Sequence, residues 1–278
     1  MDYIRLMRPK HYVKNLLVFI PIFFNGSIFD KEKMVLAVMG FLCFCLISSS
    51  VYVLNDIQDV EKDRLHSKKK NRPIASGRVS IGKAYLLMIV CFLIPLSCTI
   101  KYADIECVLF LVVYAFQNVG YSMGLKNYPI VDVVILASGF VVRVLYGGVL
   151  VGIPISKWLY LIIVTGSLYM GLGKRRNESK QQNNTREVLK FYTEAFLDKN
   201  MYVAVALVIV FYSLWSTESL NSKMIWTVPF FIIILMKYSF DIEGDSDGDP
   251  VEVITHDWIL MLLVLMYGLL VGTLIYLF

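Results

Sequence analysis

The sequence predicts an all-α integral membrane protein with nine transmembrane helices, and three observations lead to this fold class. The 278 residues are 57% hydrophobic and 18% charged, whereas soluble domains average about 45–50% apolar and about 25% charged residues. The excess falls in about nine apolar runs of roughly 15–22 residues, and about 20 such residues cross a bilayer as a helix. The charges cluster in the connections. This composition excludes a soluble enzyme, a disordered chain and a nucleic-acid-binding domain.

The predicted spans follow one another with short connections, and their ends are placed to within a few residues. In chain order they are 16–29, 35–54, 84–100, 105–123, 130–151, 155–172, 201–215, 224–238 and 258–278. The five cysteines lie in or beside these runs without metal-ligand spacing, so no disulfide framework is expected. We expect a single transmembrane domain over residues 1–278.

The basic residues define the orientation of the chain in the membrane. Twenty of the 27 Lys and Arg residues lie in the N-terminal segment and in the connections after spans two, four and six, against five on the opposite side. The positive-inside rule therefore places the N-terminus in the cytoplasm and the C-terminus outside. The cytoplasmic loops are about 55–83, 124–129, 173–200 and 239–257. The last contains an acidic stretch without the Gly and Glu positions of an EF-hand, and we expect it to cap the cytoplasmic face.

Acidic residues follow the second span directly. Asp56, Asp59 and Asp63 stand at i, i+3 and i+7, so they share one face if the helix continues into the cytosol. Residues three or four apart on a helix have Cβ atoms roughly 5–6 Å apart, and their carboxylates repel one another unless a cation binds between them. Hard oxygen ligands of this kind, completed by water and phosphate, suit Mg²⁺. The stretch predicts a metal–diphosphate site beside Asn55, with a solvated acidic helix end as the alternative.

A basic stretch follows the acidic one. The positive-inside rule alone explains most of its Lys and Arg residues. Arg72 is the better candidate for a fixed position, because Pro73 restricts the backbone of the residue before it. Acidic residues next to a basic run are the combination that a metal-bound phosphate substrate needs.

The fifth span carries two ionisable residues. Asp132 and Arg143 are close to three helical turns apart, so they share a face. Ionisable groups inside a membrane usually face the bundle interior and mark functional paths. A buried pair that only orients helices is the alternative. Tyr121 and Lys126 precede this span at its cytoplasmic end, where Lys126 is placed to neutralise a phosphate.

The acidic motif, Asn55-Asp56-x-x-Asp59-x-x-x-Asp63 with Arg72-Pro73-x-x-x-Gly77 downstream, resembles the first aspartate-rich motif of the UbiA superfamily of intramembrane prenyltransferases. The resemblance covers essentially the whole chain and is sharpest toward the decaprenyl-phosphate phosphoribosyltransferase branch. The matching elements of that branch are Arg8-Pro9-x-x-Tyr12-Val13-Lys14-Asn15, Tyr121-Ser122-x-x-Leu125-Lys126-x-x-Pro129-x-x-Asp132, Gly139-Phe140-x-x-Arg143-x-x-x-Gly147-Gly148 and Gly173-Lys174-Arg175-x-x-Glu178. The resemblance implies nine helices around a central cavity capped by cytoplasmic loops.

The resemblance also implies an activity, which is Mg²⁺-dependent transfer of 5-phosphoribosyl from phosphoribosyl pyrophosphate to a polyprenyl phosphate such as decaprenyl phosphate. Pyrophosphate is released, and the product serves cell-envelope polysaccharide synthesis at a bacterial plasma membrane. Asp56, Asp59 and Asp63 are the expected metal ligands and catalytic residues. The other expected substrate-binding residues are Lys14, Asn55, Arg72, Tyr121, Lys126, Asp132, Arg143, Lys174, Arg175 and Glu178. Among these, Lys14, Lys126 and Arg143 are expected at the lipid phosphate, and Lys174 and Arg175 at the ribose 5-phosphate.

The chain departs from the general superfamily after span six. Typical members carry a second aspartate-rich motif there, which helps to bind a second metal ion. This sequence instead reads Gly173-Lys174-Arg175-Arg176-Asn177-Glu178, which is basic. A second metal held in the usual way is therefore in doubt. Lys and Arg at this place suit a sugar phosphate, which Arg can bind in a bidentate manner, although cytoplasmic loops accept such residues in any case.

Three other functions stay open at this point. Conventional prenyl transfer from an allylic diphosphate to an aromatic acceptor would use the same Mg²⁺ site, but leaves the missing second acidic motif unexplained. A transporter for an anionic lipid would favour helices broken near the midplane, of which the chain offers few. An inactive membrane scaffold would tolerate loss of the acidic residues.

Overall fold

The protein is composed of helices joined by short turns. A computed structural model describes residues 2–66, 69–180, 187–219, 221–244 and 249–277, and these contain no β-strand. The α-helices are α1 Asp2–Met7, α2 Ile20–Phe24, α3 Lys31–Gln58, α4 Val60–Leu65, α5 Ile81–Tyr102, α6 Ile105–Met123, α7 Val131–Leu150, α8 Lys157–Lys180, α9 Glu194–Glu218, α10 Val228–Glu243, α11 Pro250–His256 and α12 Trp258–Tyr276. The 3₁₀ segments, some of them single turns, are Pro9–Phe19, Lys69–Asn71, Leu125–Asn127, Glu187–Phe191 and Ser222–Thr227.

Side-chain caps begin several of the helices. The Asp30 carboxylate accepts hydrogen bonds from the first backbone N–H groups of α3 at 3.1 and 3.2 Å. Thr193 caps α9 at 3.1 Å, and Asp257 caps α12 at 2.8 Å. Each cap satisfies backbone donors that have no partner inside the helix.

Seven helices among the described residues are long and apolar enough to cross a membrane: Lys31–Gln58, Ile81–Tyr102, Ile105–Met123, Val131–Leu150, Glu194–Glu218, Ser222–Glu243 and Trp258–Tyr276. Each corresponds to one of the predicted spans. Many large apolar side chains on these helices are exposed, including Leu265 and Leu269 of α12. A hydrocarbon environment tolerates this exposure, so the protein is an integral membrane protein.

Two of the nine predicted spans have a different form. Residues 16–29 form the end of a 3₁₀ segment and the five-residue α2, with Pro21 near its start and a turn at Gly26 after it. In the other, residues 155–156 precede α8 and residues 157–172 lie in it; this long helix continues through a charged stretch to Lys180. The first residues of the predicted cytoplasmic loop 173–200, up to Lys180, are therefore helical.

The chain divides into two compact units. Unit 1 comprises Met1–Leu125 and Val142–Pro154, and unit 2 comprises Lys126–Val141 and Ile155–Phe278. Unit 1 has an apolar core that includes Phe44, Leu111 and Tyr146 from α3, α6 and α7. Unit 2 has a core formed by α8, α9 and α10 with the 3₁₀ segment Glu187–Phe191, whose Val188 is fully buried.

Candidate active site

The acidic motif lies in unit 1 where α3 gives way to α4. The helix has a one-residue break at Asp59, which has φ −92° and ψ 8°. The backbone bonds Asp59 N–H to Asn55 C=O, 2.9 Å, and Asp63 N–H to Asp59 C=O, 2.8 Å, carry the helical pattern through the break. The predicted continuation of the helix is thus correct except at this residue. Asp56 and Asp63 are each 3% exposed, and Asp59 is half-buried.

Two arginines hold the buried carboxylates. The Arg72 Nη1 atom donates to Asp56 Oδ1 at 2.9 Å and to Asp63 Oδ2 at 2.7 Å. Arg8 Nη2 also donates to Asp56 Oδ1. In the described part of the chain the Asp59 carboxylate has no hydrogen-bond or ion-pair partner. The structure therefore brings three of the predicted site residues, Asp56, Asp63 and Arg72, together and adds Arg8.

The loop after α4 positions Arg72. Its backbone C=O accepts from Ser76 N–H at 2.9 Å, and the Pro73 C=O accepts from Val79 N–H at 3.0 Å. The turn between them uses Gly77, which has φ +77°. Buried Ile74 and Val79 anchor the loop in an apolar cluster with residues of α3 and α5. Pro73 therefore takes part in the turn through its C=O group and also restricts the backbone of Arg72.

Arg8 is the residue that sequence reasoning missed. The sequence marks it only as part of a family motif, yet its side chain contacts Asp56 and lies over the Tyr52 ring, 5.1 Å from the ring centroid. The signal that could have identified it is the Arg-Pro pair at residues 8 and 9, which repeats the pair at residues 72 and 73.

Arg143 belongs to a second buried polar group of unit 1. Arg143 is buried, and its Nε donates to Asn15 Oδ1 at 2.8 Å while Nη2 donates to Tyr114 Oη at 3.0 Å. The guanidinium also lies over the Phe44 and Tyr114 rings at 4.9 and 4.7 Å. Asn55 accepts a hydrogen bond from the Ser122 hydroxyl. Lys14 and Tyr121 are half-buried.

Unit 2 contains a second buried ionic group. Asp132 and Arg175 are both fully buried, and Arg175 Nε donates to Asp132 Oδ2. Arg175 Nη1 donates to Glu178 Oε2 at 2.5 Å. The Tyr192 hydroxyl donates to Asp132 Oδ1 at 2.5 Å and accepts from Ile130 N–H at 2.6 Å. Burial and the hydrogen bond to Asp132 raise the pKa of Tyr192, so it remains a donor at neutral pH.

This group differs from the sequence-based assignments in two ways. Asp132 was paired with Arg143 by its position on α7, but each has partners of its own. Arg175 was expected at a sugar phosphate, whereas its guanidinium binds carboxylates and has no exposed surface. Lys174, its neighbour, is partly exposed and lies 3.5 Å from Asp249. Lys126 is half-buried in the same unit.

The donor atoms of the acidic motif suit Mg²⁺. Asp56 and Asp63 direct oxygens at one Arg72 nitrogen, so both reach a common point where a cation can be held. Asp59 adds a carboxylate without a partner in the described residues. In those residues no group of three or more His, Cys, Asp or Glu side chains is close enough together to hold a metal ion, so the three aspartates do not form a complete metal site by themselves. An open carboxylate site completed by water and phosphate is the usual arrangement for Mg²⁺.

The fold and the family comparisons give the identification. The fold defines an all-α integral membrane protein. Residues 18–178 match the UbiA prenyltransferase family. This chain therefore belongs to the UbiA family of transferases.

Similar proteins extend this result to nearly the full length. The chain is 34% identical to the decaprenyl-phosphate phosphoribosyltransferase of Corynebacterium glutamicum, covering 94% of this chain and 83% of that protein. The protein of the same name from Mycolicibacterium smegmatis is also 34% identical, over 98% of this chain and 92% of that one. A UbiA homologue from Archaeoglobus fulgidus, solved with DMAPP and Mg²⁺, has a TM-score of 0.76 at 20% identity, covering 98% of this chain and 99% of that one.

Proposed function

We propose that this protein transfers the 5-phosphoribosyl group of phosphoribosyl pyrophosphate to a polyprenyl phosphate such as decaprenyl phosphate. The observation that carries the proposal is the 34% identity to decaprenyl-phosphate phosphoribosyltransferases over nearly the whole chain. The basic sequence of α8 also supports it, because the second acidic motif of prenyl-diphosphate enzymes is replaced there by Lys174, Arg175 and Arg176.

The acidic motif is the proposed site of the pyrophosphate group. Asp56, Asp59 and Asp63 would hold Mg²⁺, with Asn55 beside them. The ion, when bound, supplies positive charge that stabilises the departing pyrophosphate. Arg72 carries a guanidinium that matches phosphate oxygens in a bidentate geometry. These residues bind and orient the leaving group, so that the C1–O bond of the ribose breaks as negative charge on the pyrophosphate is neutralised.

The acceptor needs positioning more than activation. A phosphate monoester is largely ionised near neutral pH, so its oxygen attacks the ribose C1 without a strong general base. The ribose carbon develops oxocarbenium character, as in glycoside cleavage. Lys14 and Arg143 are proposed to bind the lipid phosphate. Lys126, which lies close to Tyr121 in the sequence, is proposed for the same phosphate on the basis of the family motif.

Other basic residues of unit 2 are proposed for the ribose 5-phosphate. Lys174 is the more direct candidate, since it is partly exposed and its ion pair within the described residues is a long one, to Asp249. Arg175, through Asp132 and Glu178, holds this stretch of α8 in place and would contact phosphate only after leaving its carboxylates.

The topology is part of the proposal. We propose one domain with nine spans, in which residues 16–29 and 155–172 join the seven long apolar helices. In a bacterial plasma membrane the N-terminus would lie in the cytoplasm and the C-terminus outside; the distribution of Lys and Arg supports this orientation.

The test is transfer of label from phosphoribosyl pyrophosphate, radiolabelled in the ribose, to polyprenyl phosphate in detergent with Mg²⁺. We expect label to enter the organic phase with the wild type and with Asp104→Asn, an exposed aspartate that makes no side-chain cap. We expect Asp59→Asn to lose at least about a hundredfold in rate, since electrostatic groups at developing charge contribute about 10²–10³. Its folding should be unchanged.

Two outcomes would contradict the proposal. If no label moves while the same preparation transfers a prenyl group from a prenyl diphosphate, the protein is a conventional prenyltransferase. If label moves equally well with Asp59→Asn, the acidic motif is not the metal site.

A further inference from the structure

The carboxylate oxygens suited to a metal ion already accept hydrogen bonds from arginine. Asp56 Oδ1 accepts from both Arg8 and Arg72, and Asp63 Oδ2 accepts from Arg72 at 2.7 Å. The two aspartates are almost fully buried, while the arginines are about a quarter exposed. A cation held between these two oxygens occupies the position of the Arg72 nitrogen, so it displaces Arg72 and competes with Arg8 for Asp56 Oδ1.

The charge of the cluster explains why displacement by a metal alone is unfavourable. In the structure two arginines balance two buried aspartates. A divalent cation arriving by itself would add two positive charges and leave both guanidiniums without carboxylates in a partly buried place. Uncompensated charge in such a place is costly. A diphosphate removes this cost, because its oxygens accept from the displaced guanidiniums.

The backbone of Arg8 adopts an unfavourable conformation while its side chain contacts Asp56. Its φ of 53° and ψ of 59° lie in the left-handed region, which is uncommon for a side chain of this size. It also precedes Pro9, and helical conformations are disfavoured before proline. Such strain persists only where surrounding contacts maintain it. The side-chain contacts here are Asp56 and the Tyr52 ring, and the Arg8 backbone also donates to Arg5 C=O and accepts from His11 N–H. Loss of the Asp56 contact therefore removes one of the restraints on the strained residue.

We propose that Arg8 and Arg72 are internal counterions that couple metal binding to diphosphate binding. The site takes a divalent cation tightly only together with a diphosphate, which receives the guanidiniums that the cation displaces. By linkage, the cation strengthens diphosphate binding by the same factor. The inference deepens the proposed function, on which it rests for the donor substrate, and it assigns Arg8 to the binding of the diphosphate.

Equilibrium dialysis of the purified protein in detergent with ⁵⁴Mn²⁺ tests the coupling, with Mn²⁺ as the probe for the divalent site. Dialysis is carried out with and without inorganic pyrophosphate, and free Mn²⁺–pyrophosphate equilibrates across the membrane. The retained excess reports metal bound to protein. For the wild type we expect Mn²⁺ to bind at least about tenfold more tightly with pyrophosphate, within the usual range of coupling between sites.

The variants separate the counterion role from a general effect of charge. In Arg8→Gln we expect Mn²⁺ alone to bind about tenfold more tightly than to the wild type, and pyrophosphate to add correspondingly less. Arg64→Gln is the matched control. It removes the same charge from the same region, but its ion-pair partner Glu61 is exposed and its bond to the Ala75 C=O is long, at 3.4 Å, so wild-type behaviour is expected. Arg8→Lys keeps the charge and should keep most of the coupling.

The inference fails if wild-type protein binds Mn²⁺ equally well with and without pyrophosphate. That measurement requires no variant, so it decides the matter even if Arg8→Gln does not fold. Unchanged or weaker Mn²⁺ binding by folded Arg8→Gln would also overturn it. Failure of the proposed function is seen separately, because a protein that transferred prenyl groups would still show the coupling while moving no phosphoribosyl label.

Discussion

The buried pair of Asp132 and Arg175 gives the sharpest prediction about stability. Both side chains have no exposed surface, and Arg175 also binds Glu178. Arg175→Met retains most of the volume but leaves the Asp132 carboxylate buried with the Tyr192 hydroxyl and without a cation. Removing one partner of a buried ion pair costs about 3–5 kcal/mol. We expect the free energy of unfolding to fall by that amount.

A double variant shows whether the cost arises from the stranded charge. Replacing a buried pair with apolar residues of similar volume is often neutral. Asp132→Leu combined with Arg175→Met should therefore be more stable than Arg175→Met alone. The assay is reversible unfolding by SDS in mixed micelles, followed by far-UV circular dichroism.

Lys180→Met is the control on the same helix. Lys180 is exposed and lies 3.7 Å from the exposed Glu194, and pairs of this kind contribute about 0–1 kcal/mol. The reasoning is refuted if Arg175→Met costs no more than Lys180→Met. The guanidinium would then be solvated and available to a phosphate, as the sequence alone suggested.

Two further predictions follow from local geometry. Gly147→Ala should prevent stable folding or lower the melting temperature strongly. The new Cβ would lie 2.9 Å from the carbonyl carbon of Val18, a backbone atom that cannot move aside. Gly82 has open space around it, so Gly82→Ala should leave the melting temperature within a few degrees of the wild type. The pKa of Tyr192 is raised above its ordinary value near 10, chiefly by burial. The protonated Tyr192 hydroxyl therefore contributes its full stabilisation below that value, and the contribution is lost as the pH rises through the higher pKa of the folded protein. The free energy of unfolding of the wild type should fall more between pH 9 and 12 than that of Tyr192→Phe. Equal dependence of the two free energies on pH would contradict this.

Local features of the sequence predicted the helices and the acidic motif well. The seven long apolar helices follow from composition and run length, because burial of backbone polar groups in a bilayer leaves few alternatives. The spacing of Asp56, Asp59 and Asp63 matches the helical period, and the helical hydrogen bonds extend past the end of the second span. The ends and form of the first and sixth spans were predicted less accurately, because apolar run length and other local features of the sequence conflict there. Prolines and a glycine turn interrupt the first apolar run, and α8 continues into residues whose charge suggested a loop.

The sequence by itself determined the class of the protein, the positions of most membrane helices and the family motif, since each depends on residues close together in the chain. Only the tertiary structure decided which charges pair. Arg8 is 48 residues from Asp56, and Arg175 is 43 residues from Asp132. Several basic residues satisfy the positive-inside rule equally well, so charge and spacing do not distinguish them. Their partners are selected by packing, which places one guanidinium rather than another at a carboxylate that has been removed from solvent.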